Sequence, residues 1–157
     1  MNITIRPGKI EDLKQIQKLS QLLFIKEQKE YDPWYNTDWP FSKEGEKYFI
    51  KELTGEKLKL FVAEDNGKII GFLSTSSKIE KEYKKGLKIA QIDSLMILEE
   101  YRSQGIGTKL INEFKKWAES IKAERLIVLA SSPNARGIEF YKKQGFDIFY
   151  FGLKIDK

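Results

Sequence analysis

The period of the hydrophobic positions changes several times along the chain, and each change predicts a new secondary-structure element. Ile3 and Ile5 alternate with polar residues, which is typical of a short strand, and a Pro-Gly pair follows them. Apolar residues then recur every three or four positions as far as about residue 29, which predicts an amphipathic helix. A second short helix is expected from Ser42, whose hydroxyl suits an N-cap, to Leu53.

The middle of the chain predicts a β-hairpin and a third strand. The runs LKLFVAED and KIIGFLSTSS flank Asn66-Gly67, the dipeptide that best tolerates positive φ at both turn positions. The charged segment KIEKEYKKGL predicts a solvated connection. A further strand is expected from roughly Leu87 to Leu98.

The last third predicts two more helices and two more strands. Residues 105–121 place their apolar side chains on one helical face. The run RLIVLA is apolar on both faces, which is typical of a central parallel strand. Another helix is expected to start at Ser131-Ser132-Pro133, with a hydroxyl cap, and to end at Gly145. The run FDIFYFGLKI then predicts a last strand.

The predicted order β-α-α-β-β-β-α-β-α-β has no long linker or repeat, so a single α/β domain over residues 1–157 with a mixed sheet is expected. A chain of 157 residues, of which 41% are hydrophobic and 13% aromatic, is large enough to bury a core. Its longest apolar runs are far shorter than the roughly 20 residues that cross a bilayer. Without a recognisable signal peptide, no membrane partner and a cytoplasmic location are expected.

Composition and charge exclude several classes of catalytic and metal site. The chain has no Cys and no His, which excludes disulfides, thiolate nucleophiles and the usual zinc, haem and Ser-His-Asp sites. No metal is therefore expected. The net charge of +5 comes from residues 101–157, which hold 11 basic and 6 acidic side chains without a block of like charges. This distribution favours a site for a small polyanion over a nucleic-acid partner.

The segment RSQGIGT, residues 102–108, lies between a predicted strand and the longest late helix. Gly105 and Gly107 would let a ligand approach the backbone closely, and the start of the helix would present unpaired N–H groups and a partial positive charge. An ordinary tight strand-to-helix turn would contain the same glycines. The segment is not a Walker loop, because no GKS or GKT follows.

The order of motifs in residues 93–146 resembles that of the GCN5-related N-acetyltransferases (GNAT superfamily). Arg-x-x-Gly-x-Gly follows a strand reading LMIL, and Asn134, Tyr141 and Gly145-Phe146 come after it in order. The resemblance covers nearly the whole chain. It implies an α/β (α+β) fold with helices on both faces of a mixed sheet that splays between two parallel strands. It also implies acetyl-CoA bound at the splay and direct acetyl transfer to an amine.

The resemblance further implies how the cofactor would be bound. The loop amides would hold the pyrophosphate beside Arg102, and the amide near Leu95 would polarise the acetyl carbonyl. Asn134 would bind the pantetheine arm; alternatively, it is only a residue in the first turn of the helix. Tyr141 would protonate the departing thiolate; alternatively, it is a tyrosine of the core. The implied cofactor-binding residues are Leu95, Met96, Ile97, Arg102, Ser103, Gln104, Gly105, Ile106, Gly107, Thr108, Asn134 and Tyr141.

The base that removes the proton of the amine stays open at this level. Family members that use a strand carboxylate place it upstream of the Leu95 position, where Gln91 is no base and Asp93 is a candidate. Asp93 could instead bond a neighbouring backbone group, with a water relay to a carboxylate of residues 27–32. Because Cys is absent, a covalent cysteine intermediate is excluded, and the amine would attack in a ternary complex.

Residues 27–41 are expected to shape the acceptor site, as this segment does in the resembling family. Acids beside aromatic faces favour a cationic amine on a small molecule or a polypeptide terminus. Alternatively, the aromatic residues form a hydrophobic cluster and the acids are solvated. The candidate acceptor residues are Glu27, Glu30, Tyr31, Asp32, Trp34 and Tyr35.

Three further possibilities concern the assembly and the reaction. The apolar residues on both faces of the last predicted strand indicate a homodimer contact or a wall of the acceptor site. A larger acyl group would fit the same motifs. A CoA-binding or acyl-CoA-binding sensor without turnover is the alternative from another class of function.

Overall fold

The computed structural model describes residues 1–55 and 57–157, which contain five strands and four α-helices. The strands are β1 (Ile3–Pro7), β2 (Leu60–Asp65), β3 (Lys68–Glu80), β4 (Leu87–Ile97) and β5 (Arg125–Val128). The helices are α1 (Leu13–Glu30), α2 (Lys43–Thr54), α3 (Ile106–Ser120) and α4 (Ala135–Lys143). Single 3-10 turns lie at Ile10–Asp12, Trp39–Phe41 and Glu99–Tyr101.

The strands form one mixed sheet in the order β1-β2-β3-β4-β5. The first three pairings are antiparallel, and β5 runs parallel to β4. The predicted hairpin is confirmed, because Asn66 and Gly67 connect β2 to β3 with φ of 49° and 83°. The predicted cap of α2 is also confirmed, since the hydroxyl of Ser42 accepts the N–H of Gly45 at 3.0 Å.

Helices cover both faces of the sheet, because alternate residues of a strand point to opposite faces. Leu60 and Val62 of β2 pack in a core with α1 and α2, whereas Phe61 and Ala63 pack in a second core with α3. The first core also holds Ile16, Leu19, Phe49 and Phe72, and the second holds Ile70, Leu73, Leu110, Ile111 and Phe114.

In the described residues, no helix is both long and apolar enough to span a membrane.

The predicted splay lies between β4 and β5. Their parallel pairing runs from Ile89 opposite Arg125 to Ile92 opposite Val128 and ends there. On its other edge β4 stays paired with β3 as far as Ile97. On the side of β5, the backbone of residues 93–97 of β4 therefore has no strand partner among the described residues.

The predicted last strand is wrong: residues 146–155 belong to no strand. Their apolar side chains are largely exposed, with Phe151 at 83% and Leu153 at 97%. Strand formation depends on a pairing partner more than on β-propensity, and β5 offers an outer edge of only four residues. Consequently β5 is an edge strand of the described sheet and only partly buried, and the prediction of a central strand is also wrong.

The β3–β4 hairpin is longer than predicted. β3 extends to Glu80, which lies opposite Leu87, so the first residues of the predicted solvated connection belong to the strand. Continuous pairing with β4 outweighs the charged composition of this segment, because each added residue gains ladder hydrogen bonds.

Candidate active site

A cleft of about 740 Å³ opens at the splay between β4 and β5. It extends from the start of α3, past residues 92–97 of β4, to one face of α1. The structure therefore brings residues far apart in the sequence to one site. The predicted residues that line the cleft are Glu27, Tyr35, Asp93, Leu95, Met96, Ile97, Arg102, Ser103, Gly105, Ile106, Gly107, Thr108, Asn134 and Tyr141.

The two glycines of the loop are required for different reasons. Gly105 is the N-cap of α3 and has φ of 76°, a left-handed conformation that side chains disfavour, although a Cβ there would meet nothing within 4 Å. Gly107 has no such φ, but a Cβ there would lie 2.9 Å from Cζ of Phe140 on α4. One glycine allows the turn, and the other allows close packing of α3 against α4.

The start of α3 fits an anionic ligand. Lys109 donates the first intrahelical bond, to the carbonyl of Gly105 at 3.1 Å. The N–H groups of residues 106–108 precede that bond, so they are the donors that an α-helix leaves unpaired at its N-terminus. Together with the helix dipole, they suit the negatively charged groups of a ligand.

Two arginines flank this loop. Nε of Arg102 donates to the carbonyl of Ile97 at 2.9 Å, which ties the loop to the end of β4. Arg136 of α4 donates from Nη2 to Oγ of Ser103 at 3.2 Å and also lines the cleft. Arg136 was missed by sequence reasoning, although the basic excess of residues 101–157 pointed to such a residue. Gln104 donates to the carbonyl of Glu100, and its side chain does not line the cleft.

Asn134 lines the cleft and also caps α4. Its Oδ1 accepts the N–H of Gly137 at 3.0 Å, which is the pattern of an N-cap asparagine. The prediction of a hydroxyl cap at Ser131 or Ser132 is therefore wrong. The helix starts later because the N–H of Asn134 bonds the carbonyl of Ser131 in a preceding turn.

Tyr141 and Glu27 face the same part of the cleft from α4 and α1. Burial, with a smaller contribution from the charge of Glu27, raises the pKa of Tyr141 to about 12, so its phenol keeps its proton at neutral pH. Burial also raises the pKa of Glu27, whose Oε2 accepts the hydroxyl of Ser131 at 3.4 Å. A phenol and a carboxyl group, both with raised pKa values, thus line the same cleft.

Asp93 is the first residue of β4 beyond the pairing with β5, and three side chains hold its carboxylate. Its Oδ1 accepts the hydroxyl of Ser76 at 2.7 Å and the amide of Gln91 at 3.0 Å. Its Oδ2 accepts the hydroxyl of Tyr48, on α2, at 2.8 Å. All three donors are side chains, so the alternative that Asp93 bonds a neighbouring backbone group is wrong.

Only two of the six predicted acceptor residues, Glu27 and Tyr35, are among the described residues that line the cleft. Trp34 is 81% exposed, and Asp32 accepts its N–H at 3.1 Å within a turn. Sequence reasoning missed three lining residues of α1, of which helical spacing from Glu27 would have revealed the two at i−3 and i−4. Neither Glu30 nor Tyr31 lines the cleft, whereas Leu23, Phe24 and Lys26 do.

The aromatic residues near Glu27 partly form the hydrophobic cluster that was the alternative expectation for this segment. Phe24 contacts Tyr35 edge-on at 5.2 Å between ring centroids and stacks on Trp39 at 5.8 Å. Trp39 in turn contacts Phe49 of the first core at 6.1 Å. The cluster anchors the segment between α1 and α2 and leaves Tyr35 at the cleft.

The family model described as the acetyltransferase (GNAT) family matches residues 14–146. An N-alpha-acetyltransferase of Sulfurisphaera tokodaii is 29% identical over 90% of this chain and 78% of its own length. An uncharacterized N-acetyltransferase of Methanocaldococcus jannaschii is 30% identical over 80% of this chain and 54% of its own length. An aminoglycoside N-acetyltransferase solved with CoA has a TM-score of 0.77 at 18% identity, over 99% of this chain and 95% of its own, and so supports the fold.

Proposed function

Because the chain belongs to the acetyltransferase (GNAT) family and is an acetyl-CoA-dependent N-acetyltransferase, we propose that it transfers the acetyl group directly to a primary amine in a ternary complex. One observation carries this proposal: a single cleft is lined both by the loop at the start of α3 and by Tyr141, Glu27 and Asp93. An anion site and proton-handling groups thus share one cavity, as direct transfer between two bound reactants requires.

The cofactor end of the cleft comprises residues 102–108, Arg136 and the open edge of β4. In this proposal the amides of residues 105–108 bind the pyrophosphate, and Arg102 and Arg136 flank it. The backbone of residues 95–97 pairs with the pantetheine arm, and Asn134 contacts the same arm from α4. Bound acetyl-CoA supplies an activated acetyl thioester at the end of that arm.

Two side chains move protons in the proposed reaction. Asp93 accepts a proton from the ammonium form of the acceptor, which leaves a nucleophilic amine. The amine nitrogen bonds the acetyl carbon, and the carbon–sulfur bond breaks with its electron pair on sulfur. Tyr141 donates its phenolic proton to that sulfur, which its pKa of about 12 permits because the proton is present at neutral pH. The surplus proton of the newly bonded nitrogen then passes through water to the Tyr141 phenolate, and Asp93 releases its proton to solvent, so both groups return to their starting state.

Glu27 and Tyr35 form the acceptor end in this proposal. A carboxylate beside an aromatic ring attracts an ammonium group by charge and by the ring face. We propose the α-amine of a polypeptide as the acceptor class, since relatives from Sulfurisphaera tokodaii and Saccharolobus solfataricus are named N-alpha-acetyltransferases. Residues 23–27 of α1 would contact the first side chains of such a polypeptide.

Thiol release from acetyl-CoA tests this proposal, with an acceptor panel of short peptides, polyamines, aminoglycosides and free amino acids. Turnover with peptides, abolished when their α-amine is blocked, is the expected result. Turnover with another amine class would keep the reaction and change the acceptor. Cofactor binding without turnover on any amine would favour a larger acyl group or a sensor.

We also propose that two copies of the chain associate through residues 146–155. The proposal is supported by the exposed side chains of Phe151 and Leu153, because apolar side chains grouped in this way are costly in water. Light scattering of the full chain is expected to give a dimer mass and, for Phe151→Lys, a monomer mass. A monomeric wild-type chain would contradict it.

A further inference from the structure

Helix α2 carries two polar side chains toward the cleft, although its other inward positions are apolar. Glu52 is only 2% exposed, and its Oε1 accepts the N–H of Thr75 at 2.9 Å. The hydroxyl of Tyr48 lies 3.4 Å from the same Oε1. Oε2 of Glu52 is buried without a hydrogen-bond partner among the described residues. A carboxyl oxygen buried without a partner is costly, so the presence of Glu52 here calls for an explanation in what it does for its neighbours.

Tyr48 connects Glu52 to the cleft. Its hydroxyl is 2.8 Å from Oδ2 of Asp93 and 3.5 Å from the hydroxyl of Ser74. An ionised carboxylate only accepts hydrogen bonds, so Tyr48 must donate to Asp93. The oxygen of Tyr48 can then accept a hydrogen bond, and a protonated Glu52 is within reach to donate one, as is the hydroxyl of Ser74.

The protonation of Glu52 agrees with this chain of donors. Burial, together with the nearby charge of Asp93, raises the pKa of Glu52 to about 9, so the group is neutral at pH 7. The titratable groups that face Asp93 are Tyr48 and Glu52 of α2. From the strands it is faced by neutral groups, which are Ser76 of β3 and Gln91 of β4.

We propose that Tyr48 and Glu52 are positioning residues: Glu52 holds the phenol of Tyr48, and the phenol fixes the Asp93 carboxylate toward the acceptor end of the cleft. The negative charge of the cluster then resides on Asp93, the member that lines the cleft. The inference rests on the proposed function, because Asp93 is the group that receives the proton of the amine. It adds two residues of α2 that touch neither reactant.

A double-mutant cycle tests whether Tyr48 acts through Asp93. Tyr48→Phe is expected to lower kcat about tenfold, which is the value of one hydrogen bond to a charged group, with the KM for acetyl-CoA unchanged. Asp93→Asn is expected to lower kcat more, and adding Tyr48→Phe to it should cause no further loss. A merely structural Tyr48 would lower kcat by the same factor in both backgrounds, which would overturn the proposal. The exposed Tyr83→Phe is the matched control and should leave kcat unchanged.

Two variants of Glu52 test the second residue. Glu52→Gln keeps a neutral group of the same shape, so kcat is expected to stay within threefold of wild type. Glu52→Leu removes the contact with Tyr48 and is expected to reproduce the loss of Tyr48→Phe, provided that its circular dichroism shows a folded protein. If Glu52→Gln abolished turnover, Glu52 would be acting as an ionised base, and the positioning role would be wrong.

A crystal structure of Tyr48→Phe gives a result that does not depend on any acceptor. Without the phenolic hydroxyl, Oδ2 of Asp93 is expected to lose its fixed orientation, whereas the bonds of Oδ1 to Ser76 and Gln91 remain. An unchanged, fully ordered Asp93 would overturn the positioning role even if transfer proceeds. Conversely, a reoriented Asp93 in an enzyme whose Asp93→Asn variant is fully active would contradict the proposed function and leave the positioning intact.

Discussion

The proposed cofactor end of the cleft consists of residues 102–108, Arg136 and the open edge of β4, whereas Glu27 and Tyr35, with Asp93, make up the proposed acceptor end. The two ends are built in different ways. Backbone N–H groups and the two glycines make the cofactor end. Side chains of α1, of the segment after it and of β4 make the acceptor end, and those of Tyr48, Ser76 and Gln91 hold Asp93 in place. A ligand at the first end would contact what one local segment fixes, whereas a ligand at the second would contact what the tertiary fold assembles.

This difference decides how each end should respond to substitution. Backbone donors survive most side-chain changes, so the cofactor end is sensitive mainly where a new side chain fills the space of a glycine. The acceptor end depends on individual side chains, and each of them can be removed without disturbing the loop. Substitutions at the two ends should therefore separate cofactor binding from turnover.

Gly107→Glu should have the largest effect. Its side chain would displace Phe140, and its charge would lie beside the pyrophosphate, so acetyl-CoA affinity is expected to fall about 1,000-fold by calorimetry. Asn112→Glu adds the same charge at an exposed position of α3 that does not line the cleft, and it should bind normally. Normal binding by a folded Gly107→Glu protein would show that the loop is not the cofactor site.

Tyr141→Phe should separate chemistry from binding. Because the phenol is the proposed proton donor to sulfur, kcat is expected to fall about 100-fold while acetyl-CoA affinity stays within a few-fold. Steady-state kinetics and calorimetry measure the two quantities. The exposed Tyr150→Phe serves as the control, and an unchanged kcat for Tyr141→Phe would remove Tyr141 as the acid.

Glu27→Gln should act on the acceptor side alone. Loss of a carboxylate that faces an ammonium group is expected to raise the KM for the amine about tenfold, with acetyl-CoA affinity unchanged. Glu119→Gln, on the exposed face of α3, should change neither value. A rise in the KM for acetyl-CoA instead would show that Glu27 lies at the cofactor end of the cleft.

Glu52→Gln should have the smallest effect on activity and a measurable effect on stability. The pKa of Glu52 is about 9 in the folded protein, against an ordinary value of 4.5, so the folded state keeps a proton that the unfolded state loses in between. Wild-type stability should therefore be lost progressively as pH rises from about 4.5 to 9, and the variant should lose less. Urea unfolding at pH 5 and pH 8 compares them, and equal losses would contradict a neutral buried Glu52.

The predictable parts of the molecule are those that local sequence fixes. Gly105, Gly107, the Asn-Gly turn and the helical periodicity of α1 and α3 act over a few residues, so they could be predicted from local sequence. The order of the elements predicted a mixed sheet, and the resemblance to the family implied its splay. Tyr48 and Glu52 could not be predicted, because α2 reads as an ordinary amphipathic helix until the fold places it against β4. Residues 146–155 were wrongly predicted to form a strand because strand formation also depends on tertiary contacts. Their apolar pattern fits a strand, but the described residues offer it no partner.

The acceptor end was predicted less well than the cofactor end. Residues 30–34 turn away from the cleft after α1 ends, and a turn of this kind is set by the packing of Trp39 rather than by local composition. The catalytic roles of Tyr141 and Asp93, and a cytoplasmic location, remain predictions.

The most direct test of the account is mass spectrometry of a peptide acceptor after incubation with the wild-type enzyme and acetyl-CoA, with released thiol measured in the same sample. The account predicts one acetyl group on the amine of the acceptor for each thiol released, with no acetyl group retained on the enzyme. Thiol release without an acetylated amine across the whole acceptor panel, or an acetylated enzyme that transfers its group later, would contradict direct transfer in one cleft.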